Sequence, residues 1–195
     1  MDLLNTILDQ VMDSNNLQQL AAKADVEEGI AKKAIKAGLP AILEGLNQNS
    51  NTKKGAESLN EALSQHDGGV FSDFENGKFD NLDIADGGKI IGHIFGSNQN
   101  AVTKELGKEA GISSNKTMKL LSLLAPIIMG FLGKQKKEND MNASDISGLT
   151  TSLMSNFLGG SGGGGDLLGM VTGLLGSQSG DSDKPGLGGI LDDLF

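Results

Sequence analysis

The feature that most limits what this chain can fold into is an internal repeat built around two prolines. The segment LAAKADVEEGIAKKAIKAGLPAILEGL, starting at Leu20, aligns without a gap on LGKEAGISSNKTMKLLSLLAPIIMGFL, starting at Leu106. Leu20 falls on Leu106, Ala24 on Ala110 and Lys33 on Lys119; Pro40 falls on Pro126, Ile42 on Ile128 and Leu46 on Leu132. The identities are modest in number, but the shared proline and the conservative pair Val26 and Ile112 at a shared turn argue against chance. Each copy reads as helix, tight turn, longer kinked helix, polar loop, helix. A unit that small has an apolar face it must bury against its twin. The expected fold is therefore all-α: two similar multi-helix units packed as one body, followed by a Gly-rich tail.

Helical periodicity covers most of the chain, and no period-2 strand pattern is present. Leu3, Leu4, Ile7, Leu8 and Val11 mark a short amphipathic helix up to Met12. Ser14 and Asn15 can cap a second helix that turns Leu17, Leu20, Ala21 and Ala24 inward. Asp25, with Glu28 three residues on, resembles a capping box that opens a third helix. Pro40 should kink or restart that helix, since proline lacks the N–H and clashes with the preceding turn. A helix holding Ala56, Leu59 and Leu63 follows a polar loop. The stretch from His66 to Asp80 is Gly- and Asp-rich and reads as a loop or hinge. Short helices are expected over Gly87–Phe95 and Asn98–Ala110, and a long one from Ser113 to about Gly133. Asn142 or Ser144 caps a last helix carrying Ile146, Leu149, Leu153, Met154 and Phe157. The expected organisation is a first unit over 1–66, an acidic, Gly-rich loop over 67–86, a second unit over 87–158 and a tail over 159–195. In that tail, Gly159 to Gly165 is a glycine linker, and short apolar pieces follow at Asp166–Leu175 and Leu187–Phe195.

Composition narrows the function classes. The chain has no cysteine, which removes disulfides and thiolate metal sites and fits a reducing compartment. The first twelve residues lack the positive start and apolar run of a secretory signal, so a cytoplasmic location is expected. Seven Phe, with no Trp and no Tyr, leave an aliphatic core. All 16 basic residues are Lys and the net charge is −9. Without Arg, the residue suited to bidentate phosphate binding, that acidic balance weighs against nucleic acid and anionic membranes.

Here the residues resemble a known family. The turn Leu106, Ala110, Gly111, Ile112, Ser113, leading into a helix with Ala125-Pro126, has a counterpart at Leu20, Ala24, Asp25, Val26 and Leu39-Pro40. Such tandem L-x-x-x-A-G-[VI]-S turns, with a Gly- and Leu-rich tail such as GLGGILDDLF, look like the bacterial domain of unknown function typified by YidB-like proteins. The resemblance covers roughly Met1 to Phe157 plus the style of the tail. It implies an all-helical fold and brings no activity or site with it. Asp25 departs from the pattern by standing where the second copy has Gly111.

Several motifs look functional and have blander readings. Leu106 to Leu121 resembles a DNA-binding helix-turn-helix, with Ser114, Asn115, Lys116 and Lys119 available to a major groove. The same helix then continues as LLSLLAPIIMGFL, which needs burial, and Glu105 and Glu109 interrupt the patch formed with Lys104 and Lys108. That apolar run, Leu120–Leu132, is short of the ~20 residues a bilayer needs, and reads as a core helix. Gly159-Gly160-Ser161-Gly162-Gly163 fits G-x-S-x-G formally, but no strand precedes it. Asp73, Glu75, Asp80, Asp83 and Asp86 do not follow the EF-hand order. His66 and His93 read as far apart, with no partner set for catalysis.

The expectation is a non-catalytic helical interaction or self-assembly protein. No cofactor or metal is expected, and the expected partner is a protein, either another protein or a second copy of this chain. The candidate association residues are Leu167, Leu168, Leu174, Leu175, Ile190, Leu191, Leu194 and Phe195. These lie in segments too short to be stable helices alone, and each needs a groove in its own chain or in a neighbour. The alternative is a nucleic-acid-binding regulator using the helix-turn-helix-like segment around 106–121.

Overall fold

The computed structural model of the protein describes residues 3–66, 68–160, 169, 172 and 173. The fold is all-α, with no strand among the described residues. In chain order the helices are α1 (Leu3–Met12), α2 (Ser14–Ala24), α3 (Glu28–Ser50), α4 (Lys53–Gln65) and α5 (Gly69–Glu75). Then come α6 (Ile84–Phe95), a 3-10 turn at Gly96–Asn98, α7 (Gln99–Ala110), α8 (Ser114–Glu138) and α9 (Ala143–Gly160).

Two long helices form the centre. In α8 every residue from Leu120 to Gly133 is buried, and in α3 every residue from Ala37 to Leu46. A helix that is apolar all round has no face to offer solvent, so it must sit inside. The apolar stretch of α8 would meet the length and composition of a membrane span, yet 83% of it is buried within the fold. Around α8 pack α2, α3, α4, α5, α6 and α7, and α9 covers α3 and α4.

Glycines set how closely these helices approach. A Cβ on Gly87 of α6 would lie 1.7 Å from the Ser122 carbonyl oxygen of α8. That carbonyl lacks its usual helical donor, because the residue four positions on is Pro126. The proline thus leaves an acceptor facing outward where α6 crosses, and only a glycine fits over it. Gly38 of α3 meets a side chain rather than backbone: a Cβ there would fall 2.6 Å from the Cδ2 of Leu121 on α8.

The tight turns before α3 and α8 share one hydrogen-bond pattern. Asp25 and Gly111 both adopt left-handed backbone, with φ of 58° and 76°. Val26 N–H donates to the Ala21 carbonyl (3.0 Å) and Ile112 N–H to the Gly107 carbonyl (2.8 Å), as in a Schellman cap. The substitution of Asp for Gly therefore leaves the turn intact, because aspartate tolerates this region better than most residues. Pro40 and Pro126 both lie inside their helices.

Three local expectations differ from the structure. Asp25 closes α2 rather than opening α3, whose N-cap is Glu27 with no side-chain cap bond. Asp13, not Ser14 or Asn15, caps α2, its carboxylate accepting from the Asn15 and Asn16 N–H groups. The stretch read as a loop after His66 contains α5, held by two phenylalanines. Phe71 meets the Phe131 ring edge-on at 5.1 Å, and Phe74 meets Phe79 at 5.6 Å. The helix start read at Asn142 holds: its Oδ1 accepts from Ser144 N–H (2.8 Å), and Asn142 N–H in turn donates to the Asp145 carboxylate (3.0 Å). Ile146, Leu149, Leu153 and Met154 of α9 are buried as expected. The side chain of Phe157 lies outside the described residues.

The α6–α8 crossing gives a direct test. Gly87→Ala should cost about 3 kcal/mol or more, a fall in Tm of roughly 6–12 °C. Gly148→Ala, in α9 where nothing lies within 4 Å, should instead gain about 0.5–1 kcal/mol. Equal effects of the two in thermal melts would show that α6 does not ride on the Ser122 carbonyl.

The paired turns give a second. Gly111→Ala should destabilise by about 1 kcal/mol, whereas Asp25→Gly should stabilise by about 0.5 kcal/mol after losing its exposed contact with Lys116. Urea midpoints measure both, and a destabilised Asp25→Gly variant would contradict the left-handed assignment.

Candidate functional site

Between α4 and α6 runs an open groove of about 800 Å³. Its floor is apolar: Leu46 from α3, Leu59 from α4, Ile90 and Ile94 from α6, and Met129 from α8. Its rim carries Lys54, His66, Asp86, Lys89 and His93. The volume falls in the range of small-ligand and peptide-anchor sites, ~300–1,000 Å³.

Local structure places each wall. Thr52 caps α4, its Oγ1 accepting from Gly55 N–H at 3.0 Å. Gly55 lies so close to α3 that a Cβ there would sit 1.7 Å from the Asn49 carbonyl oxygen. This tight α3–α4 corner swings α4 back along α3 with Leu59 facing inward. On the other side, Asp83 caps α6 by accepting from Ala85 N–H at 2.7 Å. Asn49 Nδ2 donates to the Ile94 carbonyl at 3.0 Å, and Gly45 lets Ile94 and Phe95 sit against α3. Asp86, Lys89 and His93 follow one another at helical spacing and so share the face of α6 that lines the groove.

The two histidines, read as far apart in the sequence, line this one groove. Lys54 and Lys89 are exposed, and among the described residues neither forms an ion pair. Two lysines against one aspartate give the lining a positive balance in a chain of net charge −9. Sequence reading missed Lys54, Lys89 and Asn49 as site residues. The spacing of Asp86, Lys89 and His93 was visible, but not the element they face.

The other sequence-level candidates fall elsewhere. Leu167, Leu168, Leu174, Leu175, Ile190, Leu191, Leu194 and Phe195 lie outside the described residues, as does Ser161. Thr172 is described, and its Oγ1 donates to Glu44 Oε1 of α3 at 3.4 Å. Glu44 is only 6% exposed and also accepts from Gln48 Nε2 at 2.7 Å. In the helix-turn-helix-like segment, Ser113 caps α8 and Ser114, Asn115 and Lys119 are exposed. Lys108 pairs with Glu105 at 2.7 Å and Lys116 with Asp25 at 3.3 Å. The acidic residues of the middle stretch are dispersed: Asp73 accepts from Asn81, Glu75 pairs with Lys134 at 3.1 Å, and Asp83 caps α6. Among the described residues no three His, Asp or Glu side chains gather as a metal site requires.

What the fold and groove define is an all-helical body with a glycine-packed centre and an apolar cleft on its flank. Residues 6–135 match a family described as a bacterial protein of unknown function (DUF937), and the chain belongs to that family. The match runs from α1 into the last turns of α8 and takes in every residue of the groove. No curated protein and no solved structure matches the chain.

Proposed function

We propose that this protein is a non-catalytic interaction module that takes short apolar helical segments into the groove between α4 and α6. The observation that carries this reading is the groove itself, where half-buried Ile90 and Ala62 offer apolar surface to an occupant and a charged rim can select it. The chain carries segments of that kind in its own tail, over 166–175 and 187–195. Exchange of such a segment between copies is a low-cost route to self-assembly. The matched turns and prolines support a further reading of the body as two copies of one helical unit, over 1–66 and 87–158. A cytoplasmic setting belongs to the same proposal.

Light scattering and thermal melting test it on the full chain and on a chain ended after Phe157. The full chain should form larger species as its concentration rises toward the millimolar range expected for exchange of a tethered segment. The shortened chain should stay monomeric and melt within a few degrees of the full one, because the buried core described above lies before residue 158. Unchanged assembly with a collapsed melt would make the tail part of the core and end the assembly reading.

Nucleic-acid binding is not part of this proposal, since two of the four lysines around the α7–α8 turn are already paired with acids. A gel-shift titration at ~0.1 M salt should show no retained duplex. Retention that disappears in the double variant Lys116→Glu, Lys119→Glu would favour the regulator instead.

A further inference from the structure

Resting on that reading, we propose that the groove of the isolated chain is capped in cis by its own residues 187–195. The segment has the chemistry of the site. Ile190, Leu191, Leu194 and Phe195 recur at the spacing that would share one face of a helix, with Asp192 and Asp193 on the other. The groove offers the complement: an apolar floor, with Lys54 and Lys89 exposed at its rim and without ion pairs among the described residues. The other tail piece, 166–175, carries a single acid, Asp166, and its Thr172 already rests on Glu44 of α3.

The path is short enough. Thr172 sits at Glu44, and the groove begins at Leu46 and Asn49 on the same helix. At about 1.5 Å per residue, Asn49 lies only ~7.5 Å further along α3. The connecting stretch from Gly173 to Leu187 is rich in Gly and Ser, and a linker of that length and composition reaches roughly 20 Å. A tether of that length presents the segment to its own groove at an effective concentration on the order of millimolar, so at micromolar protein the intramolecular contact wins over exchange. A partner with a better apolar, acidic helix must displace the segment, and crowding of copies turns the same contact into a swap.

The absence of native cysteine makes the contact measurable in the full chain. In the double variant Ser58→Cys, Gly189→Cys, one thiol stands on the groove wall and the other beside Ile190. Oxidation at micromolar protein should close an intramolecular disulfide at least tenfold faster than in the control Lys32→Cys, Gly189→Cys, whose first thiol lies toward the far end of α3. Adding Lys54→Glu and Lys89→Glu should slow closure by about tenfold, and adding Asp192→Lys and Asp193→Lys to those should restore it. Closure no faster than the control overturns the proposal, as does a cross-link found only in dimers or one indifferent to both charge reversals. Should assembly still be lost on ending the chain after Phe157, the interaction reading survives such a failure with a different tail segment as occupant.

Discussion

A single carbonyl group organises much of this molecule. Pro126 has no N–H to give to Ser122, so the middle of α8 presents a free acceptor inside an otherwise apolar surface. An unsatisfied acceptor in such a place costs free energy unless something polar or polarised approaches it. The backbone of α6 does so at Gly87, where the absent side chain lets the Cα–H come up to the oxygen. Once α6 is fixed there, Ile91, Ile94 and Phe95 have defined positions, and Ile94 and Phe95 lock onto Gly45 of α3. The third side of that triangle is the α3–α8 contact at Gly38 and Leu121. Glycine and proline, usually breakers of helices, here determine where helices meet.

The elements were legible where local rules suffice. Caps, turns and apolar stripes predicted the helices on either side of Gly111, and left-handed glycine is the ordinary end of a helix. Asp25 was misjudged because two local motifs compete at that spot. Its side chain suggests an N-cap, yet the hydrogen bonds of Ala21 and Ala22 require a left-handed residue there. α5 was missed for a different reason. Seven residues carry too little periodic signal, and its helicity comes from tertiary contacts, Phe71 on Phe131 and Phe74 on Phe79. The phenylalanine spacing hinted at one buried face, but the surrounding Gly and Asp dominated the composition.

The groove was hidden for a reason that no local rule can remove. Asp86, Lys89 and His93 announce a polar stripe on α6, and such a stripe is ordinarily a solvated surface. What makes it a wall is α4 standing opposite, and that placement depends on Gly55 closing the α3–α4 corner and on Gly87 seating α6. Both are close backbone approaches between elements, which sequence periodicity does not record. Hence the histidines read as unrelated in the chain face one cavity in the fold.

In the proposed interaction module, floor and rim would divide the work of recognition. Leu46, Leu59, Ile94 and Met129 are already almost wholly buried, so an occupant gains area chiefly from the half-exposed Ile90 and Ala62 and from the stems of the rim lysines. At roughly 25 cal/mol per Å² that gain is modest, and ordering a short helix consumes part of it. A free segment would therefore bind weakly, whereas a tethered one has most of its translational cost removed beforehand. On the proposed reading the rim would then decide which segment is accepted. In a chain of net charge −9, a lining with two lysines attracts acidic apolar helices and turns basic ones away. Weak affinity with charge selection is what the proposed exchange of an occupant requires, and a tightly filled pocket would not allow that exchange.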